Sequence, residues 1–432
     1  MRVGLKALNA LASSPVVDRL GIRPQTERVL SSVARTGGRT AARAGRTFAA
    51  AQKLGKPARQ PRAGGADLFD LTPTDEQQML QESVRDFALQ KVRPAAQAAD
   101  AACAAAPELL AQASALGVTM IGVPEELGGA LEERSAVTTV LMSEALAQGD
   151  MGIAVAALAP AAVSTAISLW GDADQQATYL PPFVGDDVPA AALAVIEPRP
   201  LFDPFKLQTR AGRKADGGFV LNGVKSLVPR GAEAELMVIA ADLEGTGPAL
   251  FIVEAATPGI SVTPEPAMGI RAAATATLKF KGVELPAGAL LGGGDPAVYD
   301  ECIQLGRLGW CAVAYGTGLS VLDYVKQYVN ERIAFGEPIS NRQAVAFTVS
   351  NIAIELGGIK LATYRAAALA DQGKPFAREA ALARNLVARY GMEIGSSGVQ
   401  LLGGHGYTKE HPVERWYRDL RAAGLMEGAL LV

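Results

Sequence analysis

Histidine is nearly absent from this 432-residue chain. His405 and His411 are the only two, too few for a histidine-rich metal centre and a thin basis for a Ser-His-Asp hydrolase. Cysteine is scarce as well: Cys103, Cys302 and Cys311 are odd in number, far apart and without a CxxC pair. That pattern removes zinc ribbons and disulfide scaffolds and fits reduced thiols. No internal repeat is present, and 49% hydrophobic against 20% charged content excludes a disordered chain. The length suits two or three domains, and the chemistry must lean on carboxylates or on a cofactor.

Basic charge is missing from the body of the chain. Of 41 Lys and Arg, 13 fall in residues 1–65 beside only Asp18 and Glu27, so the remainder holds 28 basic against 42 acidic residues, a net of −14. Such a body repels phosphate, and the arm offers one aromatic, Phe48, for base stacking, so no nucleic-acid partner is expected. The arm, residues 1–66, reads in three ways. It is a linker-like Ala/Gly/Arg extension, a peripheral membrane segment with Leu30 and Val33 opposite Arg35, Arg39, Arg43 and Arg46, or an organellar targeting segment. A bacterial cytoplasm, with peripheral contact at the inner membrane, and a mitochondrial matrix are the compartments these readings imply. Charge is also missing from residues 151–170, a run long enough to cross a bilayer. Pro160, Ser164, Thr165, Ser168 and the many alanines favour one or two buried helices in an all-α core instead.

What is present falls into three textures. Residues 67–188 carry helical spacing, with a capped start at Thr72-Pro-Thr-Asp-Glu-Gln, an end expected before Pro94, and further helices over 107–116 and 131–148. Residues 189–292 break into short β-branched or alternating runs split by Gly, Asn, Pro and Asp, which predicts a β-sandwich or barrel. Residues 218–221 and 225–228 read as two separate strands. Residues 293–432 return to long helices over 299–331, 341–372 and 378–402. The order α, β, α defines a multi-domain α+β protein and excludes a doubly wound nucleotide fold, which needs strands and helices to alternate.

Three features at the carboxyl end could carry chemistry, and each has an ordinary structural explanation. Gly403-Gly-His-Gly406 can admit a phosphate close to the backbone or simply cap the preceding helix. Arg332, followed by Phe335 and Gly336, offers a fork for a pyrophosphate or rests on its helix dipole. Glu427, in an apolar tail between Met426 and Gly428, is a base in a dry pocket or a solvated carboxylate.

Taken together, the motifs resemble the acyl-CoA dehydrogenase family from about residue 67 onward. The resemblance rests on Val-Pro-Glu-Glu-Leu-Gly-Gly (123–129), Leu-Asn-Gly-Val-Lys (221–225) and Met-Gly-Ile-Arg (268–271). It rests most on Arg-Ile-Ala-Phe-Gly-Glu-Pro-Ile (332–339), Gln-Leu-Leu-Gly-Gly-His-Gly-Tyr-Thr (400–408) and Pro-Val-Glu-Arg-Trp-Tyr-Arg-Asp-Leu-Arg (412–421), in that order. It implies a helical domain, a β domain and a four-helix bundle enclosing FAD. The implied activity is oxidation of an acyl-CoA to the trans-2-enoyl-CoA, with electrons passed to an electron-transfer flavoprotein. Glu427 matches the catalytic glutamate, nine residues after Arg418, and would take the α-proton while the β-hydrogen leaves as hydride. Arg332, Phe335, Gln343, Gln400, Gly403 and Gly404 match positions that hold the adenine and pyrophosphate half of FAD, typically the FAD of the adjacent subunit. Arg307 matches a residue near the CoA portion, and Gly428 follows the base in the substrate site. Family members are usually homotetramers or homodimers.

The departures lie on the other side of the flavin. Where the family pattern has a threonine and a serine, this chain has Ile196 and Phe202, and where it has Trp-Ile-Thr it has Leu-Val-Pro (227–229). Pro229 carries neither a hydroxyl nor an N–H. The threonine after Gly428 is Ala429. An alternative therefore stands beside the first reading: a weakly active or inactive subunit of the same fold that completes the FAD site of a partner chain in a hetero-oligomer.

Overall fold

The structure, a computed structural model, describes residues 72–129, 134–185 and 187–427. The basic arm, with its membrane and targeting readings, and Gly428 and Ala429 lie outside the described residues.

Helix α1 (Asp75–Phe87) begins at a reciprocal cap: the Gln77 N–H donates to the Thr74 hydroxyl, and the Thr74 N–H donates to the Gln77 side chain. The expected stop before Pro94 does not occur. A single π turn, Ala88–Val92, runs straight into α2 (Arg93–Ala102), with Pro94 in its first turn. A proline ring collides with the carbonyl four residues back in a regular helix, and the widened turn gives it room. Then come α3 (Pro107–Ala115), α4 (Ala136–Ala147), α5 (Met151–Trp170) and α6 (Ala173–Tyr179). The uncharged segment is thus one helix, α5, started by the Asp150 carboxylate accepting from the Ile153 N–H. It is a core helix, buried at every position from Met151 to Ile167.

The middle domain holds β1 (Ala191–Ala194), β2 (Arg210–Arg213), β3 (Phe219–Val228), β4 (Leu236–Leu243), β5 (Gly247–Glu254), β6 (Ile260–Pro264), β7 (Ala276–Leu285) and β8 (Leu290–Leu291). They form one sheet in the order β6-β7-β3-β2-β4-β5-β8, with β1 pairing parallel to β4. The two runs expected at 218–221 and 225–228 are one strand, β3, interrupted by a register shift between Leu221 and Gly223. Gly223 makes that bulge feasible: at φ 152° a Cβ would lie 2.5 Å from the Thr209 hydroxyl. Phe219 and Phe251 meet edge to face at 5.2 Å in the sheet's own core.

The third region opens with α7 (Pro296–Glu331), 36 residues and so about 54 Å long. After the hairpin β9 (Ile333–Ala334) and β10 (Glu337–Pro338) follow α8 (Gln343–Asp371), α9 (Ala377–Leu386), a π turn at Val387–Gly391, α10 (Met392–Leu402) and α11 (Val413–Leu420). α7 crosses α4 closely because Gly316 has no side chain, and a Cβ there would overlap the Glu144 carbonyl. Two apolar cores knit the N-terminal helices to α7–α11.

Glu144 lies in this helical interface. One of its oxygens accepts from the Tyr364 hydroxyl and from the Gln81 amide, both at 2.8 Å, while the other has no partner. Burial pushes the carboxyl from 4.5 up to about 7. The folded state then holds this proton more tightly than the unfolded chain, so its contribution to stability declines as pH rises from about 4.5 to about 7. Glu144→Gln keeps an acceptor and removes the charge. Urea unfolding at pH 4.5 and pH 7.5 should show the variant gaining on the wild type with pH, by up to about 2–3 kcal/mol.

Candidate active site

The tail that carries Glu427 has no long helix of its own, and its position is set by α11 just before it. Arg418 donates to both oxygens of Asp100 on α2, at 2.9 and 3.0 Å, and to the Met268 carbonyl. The neighbouring Asp419 accepts from the Ile270 N–H at 2.6 Å, and burial together with Asp150 pushes its carboxyl up. Arg415 reaches Asp150 at 2.9 Å. Gly269 is required at this junction, because a Cβ would overlap the Arg418 carbonyl. The stretches 268–271 and 412–421, far apart in sequence, are therefore two faces of one contact.

Beyond α11 a single turn, Ala422–Gly424, leads to Met426, which is fully buried in the core, and then to Glu427. The Glu427 carboxylate is also buried and meets two arginines. Arg307 on α7 donates through Nε to Oε2 at 2.9 Å and through Nη2 to Oε1 at 3.4 Å. Arg384 on α9 places its Nη2 2.6 Å from Oε1. Burial lowers the Arg384 pKa from its ordinary value, and the Glu427 charge opposes the shift. Cys311, one turn after Arg307, has its thiol pushed up to about 12 by burial. The sequence had pointed to Glu427 in a dry surround and to Arg307 near CoA. The structure places Arg307 on Glu427 itself and adds Arg384, for which the chain carried no linear signal.

The second cluster forms where α10 ends. Arg332, Gln400, Gly403 and Gly404 line one cleft of about 640 Å³, together with Tyr328 and His405. Gly403 adopts φ 59°, ψ −134°, a backbone state open essentially to glycine alone, and a Cβ on either glycine would meet nothing within 4 Å. Phe335 and Gln343 stand apart. Phe335 is 92% exposed at the β9–β10 hairpin, with the Arg342 guanidinium 4.9 Å from its ring, and Gln343 is exposed at the start of α8.

The residues that depart from the family pattern also gather. Ile196 is buried, Phe202 packs against both helical cores, and Pro229 is buried. The Leu227 N–H donates to Glu265 at 2.7 Å, and the Ser226 and Thr277 hydroxyls donate to the same carboxylate, each at 2.7 Å. The donors at the end of β3 are thus already engaged inside the protein, by an acid that sequence reasoning had not singled out. Leu227, Arg230, Ile270 and Ala274 all have φ between 47° and 51°, a costly conformation for side-chain-bearing residues.

Three successive stretches match domains of one family: residues 74–187 the acyl-CoA dehydrogenase N-terminal domain, 192–283 the middle domain and 297–430 the C-terminal domain. The human mitochondrial short-chain specific acyl-CoA dehydrogenase is 32% identical over 359 residues, 81% of this chain and 86% of that one. Butyryl-CoA dehydrogenase of Megasphaera elsdenii superimposes with a TM-score of 0.76 at 28% identity, covering 82% of this chain and 95% of that one. A structure described as the electron transferring flavoprotein of Acidaminococcus fermentans, toward a mechanism of flavin-based electron bifurcation, gives a TM-score of 0.77 at 30% identity. It covers 84% of this chain and 96% of the other. The chain belongs to the acyl-CoA dehydrogenase family, whose members are FAD-dependent oxidoreductases.

The residues fit the adenosine and pyrophosphate half of FAD: a guanidinium, an amide and two bare glycines face one open cleft. At the positions that the resemblance places on the ring side, the Leu227 N–H is committed to Glu265 and Pro229 has none, so these two offer no free backbone donor. Gly404→Leu should leave the melting temperature within about 2 °C, since open space surrounds the site, while raising the Kd for FAD about tenfold or more. Flavin titration of the variant beside the wild type checks this.

Proposed function

We propose that this chain oxidises a short acyl-CoA thioester to the trans-2-enoyl-CoA, with Glu427 as the base and an electron-transfer flavoprotein as the electron acceptor. The single observation that supports this most is a buried carboxylate at the chain's end, held on α7 by Arg307. A thioester α-C–H is too weak an acid for a carboxylate in water. It becomes accessible when the carbonyl is polarised by fixed donors in a site that excludes solvent. FAD, when bound, accepts the β-hydrogen as hydride. Glu427 takes the α-proton, Arg307 orients it, and Arg332, Gln400, Gly403 and Gly404 bind the adenosine and pyrophosphate half of the cofactor. The short acyl class and the acceptor are suggested by the human and Megasphaera relatives and by the Acidaminococcus structure.

Phe335 and Gln343, both exposed and outside the cleft's lining, suit a second copy of the chain rather than their own. α8 supports such an assembly. Phe347, Ile354 and Leu361 recur every seventh residue and are 58%, 71% and 58% exposed, an apolar stripe that water would otherwise cover. Light scattering on the full chain should give a dimer or tetramer, and Ile354→Glu should shift it toward monomer.

A second reading is favoured by the engaged donors at Leu227 and by Phe202 and Pro229: a subunit of this fold whose adenine-side residues complete a partner chain's FAD site. The visible spectrum of the purified protein separates the two. Stoichiometric flavin in a homo-oligomer supports the enzyme, whereas colourless protein that takes up FAD only with a second homologous chain supports the subunit. In the enzyme, Glu427→Gln should slow bleaching of the flavin by butyryl-CoA by about 10²–10⁴. Unchanged bleaching would remove Glu427 from the reaction.

A further inference from the structure

We propose that Arg384 is a positioning residue that selects which oxygen of Glu427 receives the proton. This rests on the reading of Glu427 as the base. A carboxylate oxygen has two lone pairs. Oε1 carries the ion-pair contact with Arg384 Nη2 at 2.6 Å and accepts from Arg307 Nη2 at 3.4 Å, so two cationic nitrogens crowd it. Oε2 receives only Arg307 Nε, at 2.9 Å, which leaves it one vacant lone pair. The α-C–H bond breaks toward that lone pair, and the proton ends on Oε2. Arg384 itself undergoes no chemical change.

The surroundings show that Arg384 is built into place. Its side chain is 18% exposed and its Nε is buried without a partner, so the head group is oriented by Glu427 and by the Gly424 carbonyl, 3.4 Å from Nη2. That second contact ties the turn before Glu427 to α9. Gly424 also lies against Ala388 in the π turn that follows α9, and a Cβ there would be 3.4 Å from the Ala388 side chain. One guanidinium therefore grips both the carboxylate and the backbone that carries it. Arg307 by itself contacts both oxygens, at 2.9 and 3.4 Å, and leaves each with one lone pair free. The cluster of Arg307, Arg384 and Glu427 also carries one excess positive charge, which opposes any drift of the carboxylate toward solvent and favours the negative charge that develops on the thioester oxygen.

Full-length Arg384→Gln and Arg384→Lys, assayed with butyryl-CoA, test this. Arg384→Gln should lower kcat about 10–100-fold with KM within about threefold, because the base is misplaced while the binding surface stays. Arg384→Lys, which restores the cation, should recover kcat to within about fivefold of wild type. Hydrogen exchange over residues 421–427 should quicken in Arg384→Gln. A kcat within twofold of wild type in Arg384→Gln, or Arg384→Lys no better than Gln, would overturn the proposal, as would unchanged exchange in that segment. Should Arg384→Gln not fold, Arg384→Met takes its place in the same assays, and wild-type kcat with wild-type exchange in that variant overturns the proposal. Failure of the underlying reading looks different: Glu427→Gln would then bleach like wild type, whatever the exchange at 421–427 shows.

Discussion

Two arginines and one glutamate meet in a largely enclosed space, with side-chain exposures of 17%, 18% and 7%, and the architecture at the carboxyl end serves that meeting. Removing three charges from solvent is costly, and the cost is offset only when each charge keeps a partner at hydrogen-bond distance. Glu427 satisfies Arg307 and Arg384 together, so losing it would strand two buried cations rather than one. The group that carries the proposed chemistry is for this reason also the keystone of its surroundings.

The path by which the three residues come together runs through the whole molecule. α7, about 54 Å long, carries Arg307 in its first third to Glu427 and leads at its far end to Arg332 in the cleft with Gln400, Gly403 and Gly404. α11 is tied by Arg418 to α2 and by Asp419 to the loop before β7, and only then does the chain turn inward with Met426 and Glu427. The junction with the middle domain works by omission: Gly269 allows the Arg418 backbone to approach, and Ile270 beside it accepts a left-handed conformation. The two halves of the proposed flavin site are unequal in kind. The cleft at Gly403 and Gly404 keeps open glycine backbone, while the Ser226 hydroxyl and Leu227 N–H are turned inward onto Glu265.

Much of this was legible in the chain. The α, β, α order and the buried character of α5 followed from composition and periodicity, and the grouping of Arg332 with Gln400, Gly403 and Gly404 from the family resemblance. The differences have specific physical causes. Pro94 reads as a stop because a regular helix cannot hold it, yet a π turn one step earlier absorbs it. Asn222 and Gly223 read as a turn because turns use those residues, yet here the glycine serves a bulge against Thr209. Arg384 and Glu265 were invisible. An arginine in a helix and a glutamate after a strand look like surface residues until something is seen to cover them.

By itself the sequence determined what local rules govern: where helices and strands alternate, which glycines free the backbone, and that a single acid near the carboxyl end lies among apolar residues. These depend on spacings of two to four residues, which any stretch of chain displays without its neighbours. Tertiary structure alone decided that Arg307, 120 residues before Glu427, pairs with it, and that Arg384 also reaches its carboxylate. Contacts at that separation depend on helix lengths, π turns and close crossings. Each shifts a side chain by about 1.5 Å per residue of helix, so their sum is set only when the whole core packs.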